Sequence, residues 1–274
     1  SAVSGRRWTS TAVILACALN AATSAAQDGA PPSLRAGSLS EAVRIDGRLD
    51  EPEWSAADAT DTFAQSDPSE GAAPTGRTIV RVLASAKAIV VGILCEDPDP
   101  SGIVTFSVRR DAPLASEDHV RVVLGPFLDG RSGYVFAVNP SGARYDGLIE
   151  PGGEGDNPDW DGIWEAATTR GPSGWSVEIY IPVHSLSFNP ALKEWHFNVQ
   201  RRIQRVLETD RWAYPARQYQ VTQTSRAGLL TGLPQFSLGL GLSIRPAMTT
   251  GGGIPVPSAD VEGEFQPSLD LTKR

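Results

Sequence analysis

Short runs that alternate apolar and polar residues, separated by turn-forming residues, constrain the fold of this chain more than any other feature. The segment 195–200 alternates strictly, and 120–124 and 134–138 carry apolar residues at every second position. Successive side chains of a strand point to opposite faces, so a period of two predicts strands with one buried face. Long helical patterns are nearly absent. We therefore predict an all-β fold, an antiparallel β-sandwich with short helical turns.

Turn residues between apolar runs predict two hairpins. The runs 78–84 and 88–94 flank Ser85-Ala86-Lys87, and the runs 163–169 and 175–181 flank Gly171-Pro172-Ser173-Gly174. Small, polar and proline residues of this kind favour tight turns between strands. A third pair of runs, 120–124 and 134–138, faces each other across the turn-rich sequence FLDGRSG.

The sequence IDGRLDEPEW (Ile45 to Trp54) has the pattern of a helix start. Asp50 stands at an N-cap position with Glu53 three residues on, which is the spacing of a capping box. Leu49 and Trp54 stand where the two apolar residues of a hydrophobic staple belong. We therefore predict that Asp50→Ala costs about 0.5 to 2 kcal/mol of stability through the lost cap.

The N-terminal residues have the composition of a secretory signal peptide. Arg6 and Arg7 precede an apolar run at 11–22, and the small residues at 23–26 offer a cleavage site. This pattern predicts an exported protein. After cleavage Cys95 is the single remaining cysteine, so no internal disulfide can form. Its position after an apolar run predicts a buried, inert thiol.

The tail after Pro234 changes character. Between Phe236 and Ile244, apolar residues alternate with Gly and Ser, which is typical of a barrel strand with one face toward lipid. A soluble edge strand gives the same pattern, so the residues alone leave both interpretations open. Pro246 is expected to end the pattern. The predicted organisation is a signal peptide at 1–26, a flexible leader at 27–40, the sandwich at 41–235, and at 236–274 a linker with a strand that is either the first of a barrel or a soluble edge strand.

Five motifs, taken in order and at their intervals, resemble the family 9 carbohydrate-binding module. The resemblance covers about Glu41 to Pro234 and implies a jelly-roll-like sandwich that recognises an oligosaccharide or polysaccharide, with a role in carbohydrate catabolism. It is strongest with the branch in which the module precedes an outer-membrane β-barrel. This implies a barrel portion of the same protein as partner, beginning near Phe236, and a periplasmic or outer-membrane-associated location. The motifs are DHVRVVL (118–124), GYVFAVNPSG (133–142), WDGIWEA (160–166), GWSVEIYIP (174–182) and WHFNVQ (195–200).

The resemblance also implies a sugar site at four positions, one of which keeps the family's residue. Sugar-binding members carry a Trp where this chain has Ala115, a Glu where it has Arg121, and an Arg where it has Ala137. Gln200 matches a Gln that contacts the sugar. The resemblance therefore implies the fold more strongly than an aromatic clamp around the ligand.

Four residues are the predicted ligand-binding set. Sugar recognition needs flat aromatic faces ringed by hydrogen-bonding groups. Most tryptophans lie in strand patterns that favour a core role, whereas Trp160 follows the polar loop GEGDNPD and is placed to stand at a sandwich edge. Arg121 and Asn198 lie in the strands that carry the matched positions. The set is Trp160, Gln200, Arg121 and Asn198.

Other chemistry finds little support. Net charge is −8, from 24 basic and 32 acidic residues, which disfavours a nucleic-acid partner. A glycosidase needs two carboxyl groups roughly 5 to 10 Å apart, and the acidic residues of 156–165 are more simply a solvated loop, so no catalytic residue is assigned. No cofactor is predicted, although calcium suits such oxygens. Two alternatives to sugar recognition stay open, namely a plug domain of the barrel that binds no sugar and an enzyme associated with glycoside hydrolysis.

Overall fold

The computed structural model describes residues 30–237 and the backbone of two further strands, 242–250 and 265–273. The predicted signal peptide at 1–26 lies outside the described residues. Two β-sheets enclose a common apolar core, which confirms the predicted all-β sandwich. Within the described part of the chain, no helix is long and apolar enough to span a membrane.

The larger sheet has nine strands. In spatial order its main path is β1 (Ser33–Arg35), β15 (Gly228–Thr231), β13 (Trp195–Ile203), β7 (His119–Gly125), β8 (Tyr134–Val138), β9 (Arg144–Ile149) and β10 (Asp156–Asn157). Two further strands continue from β13, which pairs with β14 (Glu208–Arg211), and β14 in turn pairs with β4 (Ala64–Asp67). All neighbours are antiparallel except β1 and β15.

The smaller sheet has six strands. Its order is β11 (Glu165–Gly171), β12 (Gly174–Pro182), β6 (Ala88–Glu96), β5 (Thr78–Ala84) and β2 (Gly37–Ser38), with β3 (Ala59–Thr60) also paired to β5. The pairs β5 with β6 and β11 with β12 confirm both predicted hairpins. Four 3-10 turns connect strands at Pro100–Gly102, Val183–Ser185, Gln204–Val206 and Thr224–Arg226. A separate antiparallel pair is formed by β16 (Leu242–Thr250) and β17 (Phe265–Lys273).

The core lies between the inner faces of the two sheets and follows the predicted alternation. On β13 the apolar residues Trp195, Phe197 and Val199 are fully buried. Trp175 on β12 is buried as well, so the core role predicted for these tryptophans is confirmed. Cys95 is buried too, and burial raises the pKa of its thiol to about 11, which keeps it protonated and unreactive at neutral pH.

The segment predicted as a flexible leader is paired into both sheets, so the structure corrects that prediction for residues 33–38. Ser33–Arg35 (β1) adds a parallel strand to β15 of the larger sheet, and Gly37–Ser38 (β2) adds one to β5 of the smaller sheet. Leu34 packs in the main apolar core and is 2% exposed. Strands of two or three residues show no readable period, which is why composition alone suggested a loose segment.

The helix start also differs from the prediction. The helix α1 (Pro52–Ala56) has Glu51, not Asp50, at its N-cap, and no side chain caps it. The capping box is therefore wrong, because the Glu53 carboxylate accepts a hydrogen bond from the Ser40 hydroxyl instead. The apolar half of the motif is present, since Leu49 packs in the cluster that buries Trp54. Packing, more than capping, holds this short helix.

A buried carboxylate anchors the loop that precedes α1. Glu178 on β12 accepts hydrogen bonds from the backbone N–H of Asp46 at 2.8 Å and of Gly47 at 2.9 Å. Its second oxygen accepts one from the Trp54 indole N–H at 3.1 Å. Gly47 has a φ of +85°, and a Cβ there would lie 2.5 Å from the Thr168 backbone, so only glycine fits this turn. The turn at Asp46-Gly47 is thus fixed by Glu178, which lies more than 100 positions away in the sequence.

Glu178 predicts a pH dependence of stability. Burial raises its pKa to about 7, above the ordinary 4.5, so folding takes up a proton between these values. The stabilisation is complete below about pH 4.5 and is lost as pH rises through about 7. Between pH 5 and pH 8, the free energy of unfolding of the parent should fall about 2 to 3 kcal/mol further than that of Glu178→Gln. Urea unfolding at both pH values measures this, with the exposed Glu165→Gln as control; equal slopes in parent and Glu178→Gln would contradict it.

The end of the described sandwich lies beyond the predicted boundary at residue 235. Phe236 was expected to begin the barrel-associated part, but it is 6% exposed and its ring centroid lies 5.1 Å from that of Trp195. The next residue, Ser237, donates its N–H to the Ala86 carbonyl at 2.7 Å. Residues 238–241 of the predicted strand lie outside the described residues. The backbone of β16 runs through Pro246, which therefore does not end the strand.

Candidate functional site

A pocket of about 370 Å³ lies on the outer face of the nine-stranded sheet. Strands β7, β8, β9 and β13 form its floor, and the loop before β7 forms one wall. Its nine lining residues are Pro113, Leu114, Ala115, His119, Arg121, Ala137, Tyr145, Gln200 and Arg202. All four positions that the family resemblance implied as a sugar site, Ala115, Arg121, Ala137 and Gln200, therefore line one pocket.

The strand register explains why residues far apart in sequence meet here. Gln200 pairs with Arg121, Arg121 with Ala137, and Ala137 with Tyr145. These four residues form one row across β13, β7, β8 and β9, and neighbouring strands lie about 4.8 Å apart. Side chains in such a row share one face of the sheet. The small side chain of Ala137, between two large ones, leaves the space that becomes the pocket.

A partly buried network of side chains fixes Arg121. Its Nη2 donates to Asp156 Oδ1 at 2.7 Å, and its guanidinium carbon lies 5.8 Å from the ring centroid of Tyr145. The Tyr145 hydroxyl donates to the other oxygen of Asp156. Burial and this hydrogen bond to a carboxylate both raise the pKa of Tyr145, so the phenol stays neutral. Asp156 therefore stands behind the pocket and holds two of its lining side chains in position.

His119 is a neutral acceptor in the pocket. Its Nδ1 donates to the Glu117 carbonyl at 2.9 Å, because a carbonyl can only accept, and this leaves Nε2 with a free lone pair. Burial lowers the pKa of His119 to about 4, so the ring is uncharged at neutral pH. Nearby, Gln200 Oε1 accepts from Arg211 Nη2 at 3.3 Å. That contact leaves the carboxamide N–H₂ of Gln200 as a donor.

A second carboxylate, after Asp156, holds the loop before β7 that forms the pocket wall. Glu117 is fully buried and accepts hydrogen bonds from the backbone N–H of Phe106 and Ser107 and from the side chain of Asn139. Burial alone would raise the pKa of Glu117, but these donors lower it below its ordinary value. The loop therefore carries Leu114 and Ala115 to the pocket on a fixed backbone, without a regular strand.

Two predicted site residues do not share this pocket. Trp160 packs on the inner side of β8, with its ring centroid 4.8 Å from that of Tyr134 and 6.0 Å from that of Phe136. Asn198 is buried, and its amide bonds the backbone N–H and carbonyl of Ala213. The structure thus corrects the predicted ligand-binding set of Trp160, Arg121, Asn198 and Gln200. Trp160 faces the core. The Asn198 side chain is already occupied by its hydrogen bonds to the backbone of Ala213.

The sequence analysis missed three polar lining residues, His119, Tyr145 and Arg202, and two apolar ones, Pro113 and Leu114. His119 and Arg202 each stand two positions from a predicted site residue, so they share its face of the strand. Since Arg202 pairs with His119 across β13 and β7, the two extend the polar surface along the strands. The strand alternation could have identified both. Tyr145 had no such signal, because its strand was not predicted.

The acidic loop does not gather into a metal site. Asp156 is paired with Arg121, and Asp161 accepts a hydrogen bond from Arg110, which also contacts Asp146 at 2.7 Å. In residues 30–237, no three acidic, histidine or cysteine side chains are arranged to hold a metal ion. Calcium, which the sequence analysis left open for these oxygens, is tested by titration with and without the ion.

Comparison with solved structures identifies the architecture. The chain has the fold of a family 9 carbohydrate-binding module. The module from Caldicellulosiruptor kristjanssonii in complex with glucose superposes with a TM-score of 0.55 at 16% identity, over 75% of this chain and 97% of that one. Its complex with cellotriose gives 0.53 at 16% identity, over 73% and 93%. A Bacteroides uniformis protein with a proposed carbohydrate-binding role gives 0.56 at 12% identity, over 73% and 99%. No protein-family model matches the sequence, and no curated protein does.

Proposed function

We propose that this chain is a carbohydrate-binding domain that holds an oligosaccharide in the pocket on its nine-stranded sheet. One observation carries the proposal: the four positions that the resemblance implied as a sugar site converge on one pocket of about 370 Å³. The fold supports it, because similar modules are found in complex with glucose and cellotriose. The donors of Gln200 and Arg202 and the acceptor of His119 suit the hydroxyl groups of a sugar.

The pocket suits hydrogen bonding more than stacking. Ala115 and Ala137 occupy positions where the resemblance implies larger side chains, and Tyr145 is the single aromatic residue among the described lining residues. A sugar bound here is held chiefly by polar contacts, each worth about 0.5 to 1.5 kcal/mol. Weak affinity for a single ring follows, so an oligosaccharide that reaches several lining residues is the better ligand.

Gln200→Ala should weaken oligosaccharide binding about 3- to 10-fold, because one or two hydrogen bonds to the ligand are lost. Isothermal titration with glucose and cellotriose, each with and without calcium, measures the effect. Gln218→Ala changes an exposed residue outside the pocket lining; it is the matched control and should bind as the parent does. Parent-like affinity in Gln200→Ala would move the site elsewhere. Absence of binding by the parent across a glycan array would favour a plug domain that binds no sugar.

We further propose that the domain is exported and acts in polysaccharide catabolism beside an outer-membrane barrel portion of the same protein. The signal-like pattern at 1–26 supports export, and the family resemblance supports the barrel as partner. N-terminal sequencing of the mature protein, with fractionation of the cell envelope, tests both. A mature soluble protein that retains residues 11–22 would refute export.

A further inference from the structure

The pocket carries positive charge that neighbouring acidic side chains balance only in part. Its lining holds two arginines, Arg121 and Arg202, and none of its nine residues is acidic. Arg211 pairs with Gln200 in the register of β14 with β13 and adds a third guanidinium beside the pocket lining. The chain as a whole has a net charge of −8, so this concentration of cations departs from the overall composition.

The three guanidiniums differ in their partners. Arg121 is neutralised by Asp156 at 2.7 Å. Arg202 bonds only neutral acceptors, namely Gln204 Oε1, the Leu207 carbonyl and Thr209 Oγ1, at 2.9 to 3.0 Å. Arg211 likewise bonds the carbonyls of Tyr214 and Tyr219 and the amide of Gln200.

Among the described residues, neither Arg202 nor Arg211 has a carboxylate at ion-pair distance, which leaves one unpaired positive charge in the pocket lining and one beside it. Donors are also left over there. Nε of Arg121 and Nε of Arg211 are buried and have no hydrogen-bond partner among these residues. A buried donor without a partner costs free energy unless a ligand satisfies it. Hydrogen-bond acceptors are fewer than donors in the pocket, and His119 Nε2 is the clearest of them.

We propose that the ligand of this pocket is an acidic sugar, an oligosaccharide that carries a uronic acid carboxylate beside Arg202 and Gln200. The inference rests on the proposed function, which supplies the sugar, while the unbalanced guanidiniums supply the carboxylate. A planar carboxylate matches the fork of guanidinium N–H donors, and such charge-assisted bonds are stronger than those to a neutral hydroxyl. The hydroxyl groups of the same ring then bond Gln200 and His119.

The test is isothermal titration of the full chain with trigalacturonate, cellotriose and citrate, at low and at raised salt. Trigalacturonate should bind roughly 10- to 100-fold more tightly than cellotriose, and its affinity should fall as salt rises while that of cellotriose does not. Arg202→Gln should remove most of this preference, and Arg202→Lys should retain part of it. Arg170→Gln removes the same charge from an exposed position in the other sheet and should change nothing. Circular dichroism of each variant checks the fold, and the salt series on the parent needs no variant.

The outcomes separate the two proposals. Equal affinity for trigalacturonate and cellotriose overturns the acidic ligand and leaves carbohydrate binding intact. Binding of citrate as tight as that of trigalacturonate also overturns it, because the pocket then selects an anion and not a sugar. Binding of neither sugar overturns both proposals together.

Discussion

Asp97→Asn should cost about 3 to 5 kcal/mol of unfolding free energy. The carboxylate of Asp97 pairs with Arg205 through two hydrogen bonds of 2.7 and 2.8 Å, and Arg201 Nη2 lies 3.5 Å from it. The side chains of Asp97 and Arg201 are fully buried. Removing the negative charge leaves the buried Arg201 guanidinium without a carboxylate at ion-pair distance among the described residues, and this loss of its partner is the source of the destabilisation.

The matched control for Asp97→Asn is Asp61→Asn. Asp61 also pairs with an arginine, Arg77, but 42% of its side chain and 56% of that of Arg77 are exposed. A solvated pair of this kind is worth about 0 to 1 kcal/mol. Urea unfolding of both variants compares the buried pair with the exposed one. Losses of similar size would show that burial does not govern the strength of these ion pairs.

Phe236→Ala should cost about 3 to 5 kcal/mol of unfolding free energy, because it empties a packed site between two aromatic rings. Phe236 lies with its ring centroid 5.1 Å from Trp195 and 5.5 Å from Phe188, and all three belong to the main core. Thermal or urea unfolding measures the loss. Phe106→Ala truncates a ring that is 67% exposed and should change stability by less than about 0.5 kcal/mol. A parent-like Phe236→Ala would mean that the sandwich is complete without the residue.

The sequence predicted those parts of the fold that depend on local alternation. Residues 78–84 and 88–94 each carry a long apolar run, and their hairpin forms in the expected place. The helix cap at Asp50 failed because its supposed partner, Glu53, bonds Ser40, which the local pattern does not specify. Phe236 was assigned to the segment that follows the sandwich because it begins an alternating run, although its ring belongs to the main core.

The site was also predicted only in part, because some of its residues are brought together by contacts that local sequence patterns do not specify. Arg121 and Gln200 were identified by position in motifs, and the strand register then brought them together. Trp160 was chosen for its place after a polar loop and Asn198 for the strand it lies in, but neither the path of a loop nor the partner of a buried amide can be read from the sequence. Tyr145 joined the site through the pairing of β8 with β9, which only the assembled sheet defines.

The pairing of the N-terminal strand β1 sets the order in which this domain assembles. Ser33 pairs with Leu229, so the two partners are separated by roughly 200 residues of chain. Loop closure over that distance is costly in entropy, and such contacts slow folding. During synthesis, β1 emerges early but has no partner until β15 has been made near the other end of the domain. The edge at β15 is therefore the last to close, and every shorter nascent chain carries an unpaired strand.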